Sequence, residues 1–188
     1  MKITKIHSHP FQLFLIAAGV WFCVALARGA GEPDNRAGVV AGQKAPTFQA
    51  KTIDGKTVKF PDDYKGKVVM LDFWATWCGP CVAELPNVVA AYQRLHAKGF
   101  EILSVSLDRP QQGPALLAFL RTHKMTWTQI YDGAYWKTPI AVTYGVHAIP
   151  CPVIVDGDTG IILAEGAGAV GNRMTKVLEP ALAAKAKK

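Results

Sequence analysis

The amino-acid sequence predicts an α/β domain built on a central mixed β-sheet that is flanked by helices. Residues 68–73 form a nearly continuous apolar run of strand-forming residues, which is typical of a central strand covered on both faces. From Pro80 onward, apolar residues recur at helical spacing, and residues 100–107 form a second strand-like run. A strand, a helix and a strand in this order indicate a right-handed parallel crossover.

Length, composition and charge limit the classes of protein that this chain can be. The 188 residues suffice for one domain plus an appendage, and because 50% of them are hydrophobic the domain can bury a sizeable core. The formal net charge is +7, but no dense stripe of Lys and Arg with interleaved aromatic residues occurs outside the short tail at 185–188. We interpret that tail as a solvated helix end, and the composition therefore argues against nucleic-acid binding.

Residues 1–30 differ in composition from the rest of the chain. Two lysines precede an apolar run from Phe11 to Ala27, and Ala25-Leu26-Ala27 supplies the small residues that a signal peptidase requires. We therefore predict a signal peptide or, alternatively, an uncleaved N-terminal anchor at 1–30, a polar linker at 31–41 and a domain at 42–188. In both cases the domain is exported from the cytoplasm.

Patterns on either side of the strand–helix core predict the remaining elements. Alternating residues at 47–52 and 57–60, joined by the turn signal Asp54-Gly55, predict a β-hairpin before the core. Gly99 is expected to end the long helix. Further along, the patterns predict a helix at 111–123, a short strand at 126–130, a short helix at 138–144, an antiparallel hairpin at 153–164 and a last helix at 172–184.

Two cysteines, Cys78 and Cys81, lie three positions apart where the first core strand gives way to the helix. The partial positive charge and the unpaired N–H groups at a helix N-terminus favour a thiolate over a thiol at Cys78, and the thiolate is the nucleophilic form. Cys81 lies one turn further along and can face back toward Cys78 to close a disulfide. This placement predicts a redox-active dithiol.

Two structural interpretations of the cysteine pair remain as alternatives. A disulfide that only braces the fold is disfavoured because so short a loop removes little entropy from the unfolded chain. Half of a zinc site would need two more ligands, and the candidates His147 and Cys151 stand at a spacing that matches no common structural zinc pattern. We therefore expect neither a bound metal nor a cofactor.

A resemblance to a known family is strongest around the cysteine pair. The active-site segment of thioredoxins closely resembles Leu71-Asp72-Phe73-Trp74-Ala75-Thr76-Trp77-Cys78-Gly79-Pro80-Cys81 in this chain. The wider frame, from Gly42 to Pro150, is similar to the TlpA/ResA group of membrane-associated or secreted thioredoxin-like proteins. This resemblance covers roughly residues 40–180. It implies a thioredoxin fold with an N-terminal β-hairpin and a central insertion between Leu107 and Tyr144.

The central insertion contains three aromatic residues of interest, Tyr131, Tyr135 and Trp136. We expect them to pack the insertion against the core. The alternative is that one of them lines a groove for a partner.

Two acidic residues are candidates for moving the proton during thiol exchange. Asp72 belongs to a strand that should be buried, and burial without a cationic partner raises the pKa of a carboxyl group, so Asp72 can take a proton from Cys81. The resemblance to thioredoxins implies a buried acid at this position, whereas many ResA-like sequences have an amide there. Glu84 matches the acidic residue of the Cys-x-x-Cys-x-x-Glu-x-Pro pattern of the TlpA/ResA group, and the alternative is an ordinary exposed helix glutamate.

The dipeptide Ile149-Pro150 resembles the loop that carries a cis-proline beside the disulfide in thioredoxin folds. The resemblance implies that the Ile149 backbone pairs with an extended substrate segment and that Trp77 and Pro150 shape the docking surface. Family members usually have Thr or Ala and then a β-former here, whereas this chain has Cys151-Pro152. Pro152 lacks an N–H donor, which favours a strand edge or a bulge. Cys151 is expected near the active pair, as a buried thiol or, alternatively, as a participant in exchange.

The dithiol and the resemblance together predict a monomeric protein disulfide reductase in the periplasm or another extracytoplasmic compartment. Gly79-Pro80 is the dipeptide of thioredoxins, which are reducing, so we predict a reductant rather than a strong oxidant. The expected partners are client proteins with disulfides or thiols, which by resemblance include apocytochrome c, as in cytochrome c biogenesis. A membrane or exported redox partner must recharge the dithiol.

Two other functions remain as alternatives. The frame also resembles peroxiredoxin-like proteins, but Thr76-Trp77-Cys78 is one residue short of the Thr-x-x-Cys setting that peroxide reduction needs. A non-enzymatic alternative is copper delivery by Cys78, Cys81 and His147, although copper-delivery relatives of this fold space their cysteines more widely.

Overall fold

The structure, a computed structural model, describes residues 38–187. Each predicted strand and helix is present, with ends that differ by a few residues from the expected ones. The bounds, in chain order, are β1 Phe48–Lys51, β2 Thr57–Phe60, β3 Val68–Trp74, α1 Gly79–Leu95, β4 Phe100–Ser106, α2 Gly113–Thr122, β5 Thr128–Ile130, α3 Pro139–Thr143, β6 Cys151–Asp156, β7 Ile162–Glu165 and α4 Asn172–Lys185.

The main sheet has the strand order β5-β4-β3-β6-β7. Strands β3, β4 and β5 run parallel, whereas β6 is antiparallel to β3 and β7 is antiparallel to β6. The predicted mixed sheet, parallel crossover and C-terminal hairpin are therefore confirmed. Strand β3 lies at the centre of the sheet, and all seven of its residues are buried, as expected for a strand covered on both faces.

Helix α1 connects β3 to β4 and positions both cysteines. Its buried residues recur every three or four positions, which gives the helix one continuous apolar side. The helix ends in a 3₁₀ turn at His96–Lys98, and Gly99 follows with φ of 97°, a left-handed conformation that only glycine adopts without strain. The buried residues of α1 are Cys81, Leu85, Val88, Ala91 and Leu95.

The N-terminal hairpin of β1 and β2 forms a second, two-stranded sheet. Phe48 and Phe60 are paired across its strands, and their rings stack with centroids 5.1 Å apart. A bridge between Thr52 and Ile130 links the hairpin to the edge strand β5 of the main sheet. The Phe60–Pro61 peptide bond is cis, a feature that the sequence pattern did not predict.

Pro152 lies near the start of strand β6. Pro152 was expected at a strand edge or in a bulge. Strand β6 lies between β3 and β7, and its register irregularity falls between Ile154 and Val155. Pro152 is opposite Asp72 on β3, and pairing with β7 begins only at Val153. The missing N–H group is tolerated because Pro152 lies at the start of the strand, before β7 begins to pair.

The predicted leader at 1–30 and most of the predicted linker at 31–41 lie outside the described residues. The domain boundary at residue 42 stays a prediction. In the described range, no helix combines the length and the apolar character that crossing a membrane requires.

Candidate active site

The cysteine pair lies at the junction predicted from the sequence. Cys78 is the N-cap residue of α1, and its sulfur is bonded to that of Cys81 at 2.06 Å. The Cys81 N–H donates to Cys78 Sγ over 3.2 Å, so an otherwise unpaired N–H of the first helical turn points at this sulfur. Pro80 occupies the first turn, where the absence of an N–H group costs nothing.

The disulfide lies just beneath the surface. Each cysteine exposes only 4% of its area, whereas the neighbouring residues Trp77, Gly79 and Pro80 are exposed. A helix N-terminus stabilises negative charge through its partial positive charge and its N–H groups. After reduction, these groups favour the thiolate form of Cys78.

Asp72 is buried in β3, with 7% of its area exposed. Burial raises the pKa of Asp72 to about 7; a hydrogen bond from Ser104 opposes this shift, and the negative charge of Glu84 adds to it. The Ser104 hydroxyl donates to Asp72 Oδ2 over 3.4 Å, and the Trp127 indole N–H donates to Ser104 Oγ over 2.8 Å. The predicted burial and raised pKa are therefore present, while the role of Asp72 in proton transfer stays a prediction.

A small cavity brings several candidate residues together. Its volume is about 20 Å³, which is enough for one water molecule. Asp72, Cys81 and Glu84 all line it, so the buried acid and the second cysteine border the same space. The lining residues are Met70, Asp72, Trp74, Cys81, Glu84, Leu85, Val88, Pro150, Pro152, Ala169 and Val170.

Glu84 lies on the side of α1 that faces this cavity, and it is partly buried. Its Oε1 accepts the Gly171 N–H over 2.7 Å, and its Oε2 accepts a hydrogen bond from the Asn87 side chain over 3.0 Å. Gly171 is the N-cap residue of α4. Glu84 is therefore not an ordinary exposed glutamate: it ties the active-site helix to the start of α4.

The Ile149–Pro150 bond is cis, as the resemblance implied. Both residues are partly buried, and Pro150 lines the cavity beside Cys81. Cys151 is fully buried in β6 opposite Phe73, and it is not part of the disulfide. His147 is exposed. Over residues 38–187, the side chains of His, Cys, Asp and Glu form no group of three or more that could hold a metal ion.

Trp77 exposes 43% of its area directly beside Cys78. Its ring centroid lies 5.4 Å from that of Tyr135 and 6.2 Å from that of Trp136, and we call these three residues the aromatic cluster. Tyr131 behaves differently, since its hydroxyl donates to the Arg109 carbonyl and accepts from the Gln112 N–H. The insertion thus packs against the active-site loop, a contact that the sequence analysis did not identify.

Sequence reasoning also missed Asp108, which is fully buried just after β4. Its carboxylate accepts the Thr76 N–H at 3.2 Å, the Thr76 hydroxyl at 2.5 Å and the Ser106 hydroxyl at 2.8 Å. These bonds fix the loop that leads from β3 to Cys78. An acidic residue directly after a predicted parallel strand, at the sheet edge where α/β proteins place their sites, was the available signal.

Comparisons with known proteins agree with this geometry. A family model described as the AhpC/TSA family matches residues 41–164. Thiol-disulfide oxidoreductase ResA of Bacillus cereus (strain ATCC 10987 / NRS 248) is 33% identical over 162 residues, which cover 86% of this chain and 88% of that protein.

Solved structures give the same result. The thioredoxin domain of a thiol-disulfide oxidoreductase from Bacteroides vulgatus is similar with a TM-score of 0.65 and 27% identity, covering 76% of this chain and 97% of that one. A putative thiol:disulfide interchange protein DsbE from Chlorobium tepidum is similar with a TM-score of 0.61 and 32% identity, covering 77% of this chain and 96% of that one.

Proposed function

Because this chain belongs to the AhpC/TSA family and has a thioredoxin fold, we propose that it reduces disulfide bonds of other proteins outside the cytoplasm. It is a thiol-disulfide oxidoreductase, as its ResA relative and its structural neighbours are. The observation that carries the proposal is a disulfide at the N-terminus of α1, beside a buried carboxyl group whose pKa is about 7.

The reaction begins from the reduced dithiol. The Cys78 thiolate attacks one sulfur of a client disulfide, which forms a mixed disulfide and releases the other client sulfur as a thiolate. Asp72 then accepts the proton of the Cys81 thiol, and the resulting thiolate attacks Cys78 Sγ. The second client sulfur leaves as a thiolate and the Cys78–Cys81 disulfide forms, so the client gains two electrons and this protein loses two.

The residues around the dithiol divide the remaining tasks. Trp77 and Pro150 shape the surface on which the client docks, and the Ile149 backbone pairs with an extended client segment. Asp72 and Glu84 face the cavity beside Cys81. A carboxyl group with a pKa near 7 is suited to accept a proton at neutral pH and to return it later.

Location and partners follow from the leader and the family. The apolar leader at 1–30 directs the domain to the periplasm or another extracytoplasmic compartment, where disulfides persist. The clients include apocytochrome c and other exported proteins with disulfides or thiols. Since each turnover leaves Cys78 and Cys81 oxidised, a membrane or exported dithiol partner reduces them again. The protein acts as a monomer.

Insulin reduction tests this function. We expect the reduced protein to cleave the disulfides of insulin, and the Cys78→Ser variant to be inactive. Cys81→Ser should accumulate a mixed disulfide with its client, which a non-reducing gel detects and mass spectrometry identifies. Cys151→Ser is the matched control and should remain active. A wild-type protein that reduces insulin no faster than Cys78→Ser would rule the function out.

Neither alternative function is favoured by an observation. The chain lacks the Thr-x-x-Cys setting that peroxide reduction needs. In addition, the Thr76 hydroxyl donates its hydrogen bond to Asp108. Copper delivery by Cys78, Cys81 and His147 is not favoured because those residues form no group of potential ligands within the described range. Peroxide consumption and the metal content of the purified protein check these two points.

A further inference from the structure

An exposed cation lies above the aromatic cluster next to the disulfide. The Arg109 guanidinium carbon is 4.8 Å from the centroid of the Tyr135 ring, and that ring contacts Trp77, the residue before Cys78. Trp136 completes the cluster, with its ring centroid 5.9 Å from that of Tyr135. The residue next to Cys78 thus contacts two further rings, and the guanidinium lies over one of them.

No carboxylate among residues 38–187 neutralises the charge of Arg109. Arg109 is exposed, and no carboxylate oxygen of residues 38–187 lies within 4 Å of its guanidinium. The carboxylates nearest in sequence to Arg109 and to Tyr135 are engaged elsewhere. Asp108 is buried and binds Thr76 and Ser106, and Asp132 accepts hydrogen bonds from the Ala134 N–H and the Thr138 hydroxyl.

Two hydrogen bonds hold the Arg109 backbone in this arrangement. The Arg109 N–H donates to the Gln112 side chain over 2.6 Å, and the Arg109 carbonyl accepts the Tyr131 hydroxyl over 2.7 Å. Tyr135 has φ of 57°, a left-handed conformation that is uncommon for a bulky residue. Such conformations persist where the surrounding structure over-determines them, often at ligand-binding sites.

A guanidinium stacked on a ring still has its N–H groups directed outward in its own plane. Because those donors match the geometry of a carboxylate, an arginine can contact a ring and bind an anion at the same time. The rings themselves offer apolar surface at low entropic cost. Together they form a surface that complements an acidic segment with an apolar or aromatic neighbour.

We infer that Arg109 and the aromatic cluster select client segments that carry a carboxylate beside the target disulfide. The carboxylate binds the Arg109 guanidinium, while an apolar or aromatic side chain of the same segment packs on Trp77. This inference rests on the proposed function, since it concerns which disulfides reach Cys78. Arg109 is in this sense a specificity residue: it contacts the client and leaves the exchange chemistry to the cysteines.

Two small aromatic disulfides test the inference directly. 5,5′-Dithiobis(2-nitrobenzoate) carries a carboxylate on each ring, whereas 4,4′-dithiodipyridine is aromatic and uncharged at pH 8. The reduced wild-type protein and its variants are mixed with each probe, and the second-order rate constants are measured by absorbance at low ionic strength. Comparing the ratio of the two rate constants between variants cancels the different intrinsic reactivity of the probes.

We expect Arg109→Gln to lower the rate with the dicarboxylate probe about two- to five-fold, which is the size of an exposed ion pair, and to leave the neutral probe unchanged. Arg109→Glu should lower the rate constant with the dicarboxylate probe further. Added salt should reduce the difference in this rate constant between the wild type and the Arg109 variants. Arg121→Gln, which removes the same charge from an exposed position on α2, is the matched control. For Arg121→Gln, the ratio of the rate constants with the two probes should equal that of the wild type.

Three outcomes would overturn the inference. The ratio of the rate constants could be unchanged in Arg109→Gln, or it could fall equally in Arg121→Gln. In the third outcome, Arg109→Gln slows the reactions with both probes equally, which would mean that Arg109 acts on Cys78 and not on the client. A wild-type protein that reduces neither probe would instead defeat the proposed function itself. Disulfide peptides with Glu or Lys beside the cysteine extend the test, and the wild type should reduce the Glu peptide faster.

Discussion

Two buried aspartates near the disulfide have very different surroundings. Asp72 lies in β3 with a long hydrogen bond from Ser104, and burial raises its pKa to about 7. Asp108 accepts hydrogen bonds from Thr76 and Ser106 and so has donors for its negative charge. The same residue type therefore serves two purposes: one carboxyl group is suited to exchanging a proton, the other to fixing a loop.

This contrast predicts that Asp72→Asn and Asp108→Asn change the free energy of unfolding in opposite directions at pH 8. The pKa of Asp72 is about 7 in the folded protein and 3.8 ordinarily, so between these values the folded state binds the proton more tightly than the unfolded state. The free energy of unfolding therefore falls as pH rises through this window, by about 4 kcal/mol at most. Asp72→Asn removes this cost and should be more stable than the wild type at pH 8, with little difference at pH 4.

Urea unfolding at pH 4 and pH 8 measures the effect. Asp108→Asn is the comparison, because it places an amide N–H₂ group among hydrogen-bond donors. Its free energy of unfolding should be about 1–3 kcal/mol lower than that of the wild type at pH 8. If Asp72→Asn were destabilised at pH 8, the cost assigned to the buried carboxylate would be wrong.

At the scale of elements, Glu84 connects two helices. Its carboxylate accepts the N–H of Gly171 at the start of α4, and its charge raises the pKa of Asp72. One side chain thus has a structural effect and an electrostatic effect, and two substitutions can separate them.

We expect Glu84→Gln to retain an oxygen acceptor for Gly171 while removing the charge that faces Asp72. The pKa of Asp72 should then fall, and the pH midpoint for release of the mixed disulfide should move to lower pH. Glu84→Ala should show the same change in midpoint and lose in addition about 1 kcal/mol of stability, because the Gly171 N–H loses its acceptor. Stopped-flow kinetics across pH and urea unfolding measure the two effects. An unchanged midpoint in both variants would contradict the electrostatic part.

The elements themselves were largely predictable because each has a local signature. Strand β3 is recognisable from its apolar run, and α1 from apolar residues at helical spacing after Pro80. The place of β6 between β3 and β7 was not predicted, because the order of strands in a sheet depends on contacts between distant segments. A proline at the start of an interior strand and one in an edge strand give the same sequence pattern.

For the whole molecule, the end of α4 is tied to the turn between β6 and β7. Lys185 Nζ lies 3.1 Å from an Asp156 oxygen and 2.6 Å from an Asp158 oxygen, and the Lys185 side chain is only 9% exposed. Burial raises the pKa of Asp156, but hydrogen bonds from Thr159 and Lys185 outweigh it and lower the pKa overall. This contribution to stability is present above pH 3.8 and is lost as pH falls through the lowered pKa.

Lys185→Met should therefore lower the free energy of unfolding by roughly 1 kcal/mol at pH 7, and the difference from the wild type should shrink toward pH 2. Lys176→Met, an exposed lysine on the same helix, is the control and should change little. Thermal unfolding at several pH values measures both. A loss for Lys185→Met that stays constant with pH would mean that packing, not the ion pairs, is responsible.

The candidate site was only partly predictable from the sequence. Cys78, Asp72 and Pro150 lie in or beside a recognisable local pattern, and the structure places Asp72 and Pro150 at the cavity that Cys81 also lines. The contacts of Asp108 with Thr76 and of Tyr135 with Trp77 join residues that are far apart in the chain. No local periodicity encodes such contacts, so they became visible only when the fold was known.

The prolines that flank Cys151 limit the backbone hydrogen bonds that a bound polypeptide can form at this edge of the site. Neither Pro150 nor Pro152 has an amide hydrogen. The main chain beside the disulfide therefore cannot donate a continuous series of hydrogen bonds to a bound segment. Few main-chain hydrogen bonds are therefore available to a bound segment beside the disulfide. We expect side-chain contacts, such as those at Trp77 and Arg109, to decide which segments bind there.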